Sequence, residues 1–169
     1  GYILQSRPVS VRLSVGDGQK VLVSETVPLN NTYLPAEITL WKEKEALHTV
    51  SGQKDTVQQV LVNEPGEGFV FGLFTAQDIP YSNGVLMSDT LIATGATDEN
   101  GQLTFAGTYP HGEYVIRELK APEGWEITPE AIPVSLQPSQ MTEDETMLRV
   151  LLVEPVHNKL IHQKVTLTK

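Results

Sequence analysis

Apolar residues in this chain recur at every second position, in short runs closed by turn formers, with no convincing helical period. Ile38-Thr39-Leu40-Trp41-Lys42 carries the pattern of a half-buried strand. Gly68 to Phe74 is a strongly apolar strand, and Leu91 to Ala93 leads into a turn at Thr97-Asp98-Glu99-Asn100-Gly101. Gln102-Leu103-Thr104-Phe105 follows, so the segment is a hairpin in which Asn-Gly is expected to supply the positive-φ positions. Further strands are expected at Glu113 to Leu119, Ala131 to Leu136, Met147 to Val156 and Lys164 to Lys169. Asp55 to Val62 suits either a strand or a short helical turn. About seven strands at this spacing specify an all-β sandwich. The 13 Gly and 11 Pro, scattered along the whole length, are what many short strands joined by turns require.

A repeat sets the domain organisation. Asn31 and Lys42 recur as Asn158 and Lys169, and 158 − 31 and 169 − 42 both equal 127. Upstream, Gly1-Tyr2 with Pro8-Val9-Ser10-Val11 parallels Gly124-Trp125 with Pro133-Val134-Ser135-Leu136. The chain is therefore read as a tandem array. Residues 1–31 are the last strands of a preceding module, residues 32–160 are one complete module, and residues 161–169 begin the next.

A net charge of −9 argues against nucleic acid, whose phosphates need clustered Lys and Arg. No apolar run is long enough to span a bilayer, and no signal, sorting or lipidation motif is present. With no cysteine there is neither a disulfide nor a thiolate metal site.

Three motifs follow one another: Thr97-Asp98-Glu99-Asn100-Gly101, then Gly112-Glu113-Tyr114-Val115-Ile116-Arg117-Glu118, then Ala121-Pro122-Glu123-Gly124-Trp125. Together they resemble the Cna B-type, SpaA-like domains of Gram-positive adhesins and pilins, and Gly72-Leu73-Phe74 matches that family's second strand. Trp125 stands where a Tyr is usual, Leu119 where a Thr is usual, and the insert between Lys44 and Gly66 is long. The resemblance implies a prealbumin-like (reverse-Ig, Ig-like) sandwich. It also implies a spontaneous isopeptide bond between a first-strand Lys and a last-strand Asn, assisted by a Glu. By motif these are Lys42, Asn158 and Glu118. The repeat makes Asn31 and Lys169 the corresponding residues of the flanking modules, without partners in this chain.

The residues themselves fit this chemistry. Lys42 is in phase with Ile38 and Leu40, Glu118 with Tyr114 and Ile116, and Asn158 with Val150, Leu152 and Val156, so all three are expected to point inward. Burial disfavours charge, which lowers the pKa of a Lys and raises that of a Glu. A neutral amine is a nucleophile, and a protonated carboxyl can polarise the amide and pass protons to departing ammonia.

Other motifs compete poorly. Lys44 shares a face with Lys42 and is its rival for the cross-link. Ser51-Gly52-Gln53-Lys54 has the S-x-x-K form of penicillin-recognising enzymes but lacks the companion motifs and sits in a polar stretch. Asp98 to Gly101 reads better as a turn than as a calcium loop. His48, His111, His157 and His162 lack metal-ligand spacing. Trp41, out of phase with Lys42, is expected on the outer face or against a neighbouring module.

The expectation is thus an extracellular, cell-wall-anchored stalk or spacer module without cofactor or metal, whose self-cross-linking is at most a single turnover and whose partners are adjacent repeats. The alternative is an adhesin module that contacts host matrix protein or glycan through loops 44–66 and 76–90, with Tyr81 and Met87 contributing.

Overall fold

The computed structural model describes residues 33–51, 57–81, 84–144 and 146–161. Asn31, Lys169, His162 and the flanking segments 1–31 and 162–169 lie outside them, as does most of the Ser51–Lys54 motif.

The first strand, β1 (Pro35–Ser51), organises one sheet. Its inner half pairs antiparallel with β7 (Gln102–Thr108), and its outer half pairs antiparallel with β2 (Val57–Pro65). On its other edge it pairs in parallel with the two last strands, β10 (Leu148–Leu151) and β11 (Val156–Asn158). A second sheet runs in the order β6 (Leu91–Ala96), β3 (Val70–Thr75), β8 (Gly112–Lys120), β9 (Ala131–Leu136), all antiparallel. A small hairpin, β4 (Ile79–Tyr81) and β5 (Gly84–Leu86), stands apart.

Alternation fixes which faces meet. Ala36, Ile38 and Leu40 of β1, with Leu103 and Phe105 of β7 and Leu148 of β10, form one wall of the core. Phe71 and Leu73 of β3, Tyr114 and Ile116 of β8, and Val134 and Leu136 of β9 form the other. Tyr114 is fully buried, and its hydroxyl donates to the Pro110 carbonyl at 2.7 Å, so its burial strands no polar group. The all-β sandwich expected from the alternation is the fold, although the described residues hold eleven strand segments.

Three expectations need correction. Residues 44–66 are mostly ribbon, because β1 continues to Ser51 and β2 returns in register, Glu43 opposite Pro65 through Ser51 opposite Val57. Asp55 to Val62 therefore resolves, from Val57 on, as strand. Loop 76–90 contains the β4–β5 hairpin. The strand foreseen from Met147 to Val156 is split between β10 and β11, with Leu152–Pro155 outside either; the Leu152 N–H still donates to the Thr39 carbonyl at 2.9 Å, so the inward phase survives the break.

The turn before β7 also differs in detail. Among its residues only Gly101 has positive φ (+73°); Asn100 does not. The Asp98 carboxylate does the remaining work, accepting from the Asn100 and Gln102 N–H groups at 2.9 and 2.8 Å.

Candidate functional site

The inward phase of β1 ends in a cation. After Ala36, Ile38 and Leu40 the next inward position is Lys42, only 1% exposed. On β8 the same progression, Tyr114 then Ile116, ends at Glu118, 9% exposed. Asn158 closes β11, also 1% exposed. Three polar side chains thus occupy one end of a core whose other buried polar residues, among those described, are Thr39, Thr75 and Thr97.

Asn158 Nδ2 donates to Glu118 Oε1 at 2.6 Å and to the Glu126 carbonyl at 2.7 Å. Lys42 pairs with Val156 in the parallel β1–β11 register, two residues before Asn158. Its Nζ donates to the Val156 carbonyl at 2.8 Å and to the Glu43 carbonyl at 2.5 Å, and lies 4.6 Å from the centre of the Phe69 ring. Among the described residues no buried side-chain nitrogen or oxygen lacks a hydrogen-bond partner.

Burial governs the electrostatics. Desolvation pushes the Lys42 amine down from 10.5 to about 8, against the opposing pull of the Glu118 and Glu43 carboxylates. Desolvation also raises Glu118 above its ordinary value, partly offset by hydrogen bonds from Asn158 and Thr128 and by the charge of Lys42. Two carbonyl acceptors around Nζ use both hydrogens of a neutral amine and leave its lone pair unengaged.

Lys44, the rival, sits differently. It pairs with Glu64 at 3.4 Å and lies over the Trp125 ring at 4.7 Å, at a half-buried position where the sandwich gives way to ribbon. Trp125 caps this end of the core: its indole N–H donates to the Glu45 carbonyl at 2.8 Å, and its ring meets Phe69 edge-on at 6.2 Å. Trp41 is 40% exposed on the outer face.

Thr128 was not singled out from sequence. Its N–H donates to Glu118 Oε2 at 3.2 Å, and its hydroxyl donates to the His157 carbonyl at 2.9 Å and to Asn158 Oδ1. It lies in an irregular segment before β9, where no alternation reports direction. The only local sign is Pro129, which holds the preceding residue extended.

The remaining candidates scatter. His48 contacts Glu64 and His157 contacts Glu43, each at 3.3 Å on exposed side chains. No cluster of three or more His, Asp or Glu residues gathers as a metal site among the described residues. No helix there is long and apolar enough to cross a membrane.

A family model described as "SpaA: Prealbumin-like fold domain" matches residues 36–148, a span that contains Lys42 and Glu118 and stops short of Asn158. Curated protein sequences yield no match. Among solved structures, the chain is similar to the Bacillus anthracis TIE protein (19% identity over 79% of this chain and 19% of that one, TM-score 0.47). It is also similar to the minor pilin GBS52 of Streptococcus agalactiae (18% identity, 82% and 50% covered, TM-score 0.47). A third is BcpA, the major pilin subunit of Bacillus cereus (24% identity, 73% and 28% covered, TM-score 0.41). The chain spans half or less of the length of each.

Proposed function

The chain belongs to the family of SpaA prealbumin-like fold domains, and on that premise we propose that it is a structural stalk module of a Gram-positive cell-surface adhesin or pilin, locked by a Lys42–Asn158 isopeptide bond. The observation that carries this reading is the burial of Lys42, Glu118 and Asn158 together at one end of the core. A buried unpaired charge is expensive, so such a trio calls for a reason beyond packing.

The reaction runs as follows. The neutral Lys42 amine attacks Cγ of Asn158, and charge develops on Oδ1. The proton shed by Nζ passes by way of Glu118 to Nδ2, already in contact with Oε1. The Cγ–Nδ2 bond then breaks, ammonia leaves, and the Nζ–Cγ amide remains. Holding amine against amide in a dry interior replaces a bimolecular encounter, an advantage worth up to ~10⁵–10⁸ M in effective concentration. Lys42 and Asn158 are consumed and Glu118 is returned unchanged, so the step runs once and the module is not a turnover enzyme. By the repeat, Asn31 and Lys169 play the same parts in adjoining modules, residues 32–160 form the complete unit, and adjacent repeats of the same chain are its immediate partners.

Intact-mass measurement tests this. The purified chain is expected to lack one ammonia, and Lys42→Ala and Glu118→Ala are each expected to restore it; an unshifted wild-type mass removes the cross-link. The pH dependence of the step is also specified. The reactive pair, neutral amine and protonated carboxyl, holds one proton. Below the pKa of Glu118 a second proton blocks the amine; above about 8, the value at Lys42, no proton is left on either group. The rate of ammonia loss on refolding should therefore be bell-shaped, with its alkaline limb near 8 and its acidic limb above the ordinary carboxylate range. A rate that climbs without turning over through the alkaline range contradicts the shared-proton scheme.

A second reading, an adhesin module for host matrix protein or glycan, draws support from the ribbon. Leu47, Val50, Val57 and Leu61 are all exposed on it, spread over both faces. Tyr81 and Met87 belong to the separate β4–β5 region. Replacing the outer ribbon, residues 47–61, by a two-residue turn is expected to abolish saturable binding to matrix proteins or glycans if this reading holds. Equal binding with and without the ribbon rejects it.

A further inference from the structure

We infer that Thr128 is a catalytic residue of the self-cross-linking step, its hydroxyl donating the hydrogen bond that stabilises negative charge on Asn158 Oδ1 as Lys42 attacks. The inference rests on the cross-link reading above and reassigns one role within it: polarising the amide oxygen falls to Thr128, leaving Glu118 to move protons.

The orientation of the Asn158 amide decides the matter. One side of that amide faces both the Glu118 carboxyl and the Glu126 carbonyl, at 2.6 and 2.7 Å. A backbone carbonyl only accepts, so the atom facing Glu126 must be Nδ2. Turning the amide over would set two oxygens against each other at hydrogen-bond distance. The opposite side, facing the Thr128 hydroxyl, is therefore Oδ1. Glu118 is thereby in contact with the leaving nitrogen and not with the oxygen that gains charge.

Thr128 has one hydroxyl proton and two acceptors, the His157 carbonyl and Asn158 Oδ1. In the ground state they share it. As the tetrahedral intermediate forms, Oδ1 becomes an oxyanion and draws the proton more strongly, because hydrogen bonds to a charged acceptor are about twice as strong as neutral ones. The gain appears in the transition state, where it accelerates the step. The same residue is held in place twice: its N–H is bonded to Glu118 Oε2 at 3.2 Å, and Pro129 restricts its backbone. No atom is transferred to or from Thr128. The bond made is Nζ–Cγ, the bond broken is Cγ–Nδ2, and the product lost is ammonia.

The full chain is made by chemical synthesis and kept in denaturant so that it has never folded, then refolded by dilution, quenched in acid at intervals and weighed. Thr128→Val and Thr128→Ala are expected to slow ammonia loss by about 10²-fold, the usual cost of one oxyanion donor. Thr128→Ser, which keeps the hydroxyl, is expected to react within a few-fold of wild type. Folding itself is followed by tryptophan fluorescence in a Lys42→Ala background, where Thr128→Val should fold at the rate of Lys42→Ala alone. Wild-type rates of ammonia loss in both the Val and Ala variants overturn the role of Thr128 and leave the cross-link standing. A slowing of folding that matches the slowing of reaction, or a Ser variant as slow as Val, also overturns it. A wild-type chain that never loses ammonia removes the cross-link and this inference together.

Discussion

Glu118→Gln is expected to fold, to keep its ammonia, and to melt roughly 10–20 °C below the wild-type chain. The expectation follows from the loop that the Lys42–Asn158 bond would close, 158 − 42 = 116 residues. By the chain-entropy relation for cross-links, such a loop stabilises by about 4–5 kcal/mol. For a domain of this size each kcal/mol moves the midpoint by roughly 2–4 °C. Gln keeps the shape of the side chain, but its one amide oxygen can accept from Asn158 Nδ2 or from the Thr128 N–H and not from both, so one of these hydrogen bonds is lost with the acid while the packing stays. The pH response separates the two forms further. In the unreacted chain Lys42 has a folded-state value lowered to about 8 from 10.5. Between those values the unfolded chain binds the proton that the folded chain does not, so stability rises with pH across that window. Loss of the Glu118 charge lowers the folded value further and widens the window downward. In a wild-type chain that carries the proposed bond, Lys42 would be an amide and contribute no such slope. Equal melting temperatures for the two masses would show that the bond, though formed, does not bear on stability.

How much of this was legible beforehand depends on whether a residue lies in a regular strand. The family motif names Lys42 and Glu118, and alternation gives their direction, since each continues an inward series that Ile38 and Leu40, or Tyr114 and Ile116, begin. Alternation could not separate Lys42 from Lys44, which share a phase; what separates them is where the opposing sheet ends, and that is a tertiary fact. Family motif made that choice, as it did for Asn158. Thr128 and the capping contacts of Trp125 were illegible because both lie in irregular backbone, where spacing carries no direction. The ribbon lacks a strand signal for a related reason. Its apolar residues fall on both faces, Leu47 and Leu61 on one and Val50 and Val60 on the other, so no single-sided stripe marks it as strand. The hairpin at Asp98 was recognised by its composition, yet composition does not reveal that Asp98 accepts two N–H groups while Gly101 alone takes the positive φ.

Gly101→Ala is expected to destabilise the fold by about 3 kcal/mol or more and to slow the cross-link as well. Gly101 has φ +73°, a conformation that costs an L-residue about 1–2 kcal/mol on its own. Crowding adds to it. A Cβ there would stand 2.2 Å from the Lys42 carbonyl oxygen and 3.1 Å from the Gly66 nitrogen. Both are backbone atoms, and they are bonded to each other, Gly66 N–H to Lys42 carbonyl at 2.9 Å, so neither can rotate aside. The Gly101 carbonyl in turn accepts the Lys42 N–H at 2.7 Å. Any shift that relieves the clash therefore moves the backbone that carries the proposed nucleophile. Gly124→Ala is the control. Gly124 also has positive φ, +98°, but a Cβ there meets nothing within 4 Å, so that change carries the conformational cost alone. The measurement is a paired denaturant melt in the Lys42→Ala background, which removes the cross-link from both chains, followed by the ammonia-loss time course with Lys42 restored. Gly101→Ala should lose clearly more stability than Gly124→Ala and react more slowly. Equal losses at the two glycines would mean that the hairpin yields without displacing Lys42, and the tight packing of turn against nucleophile would have no bearing on the reaction.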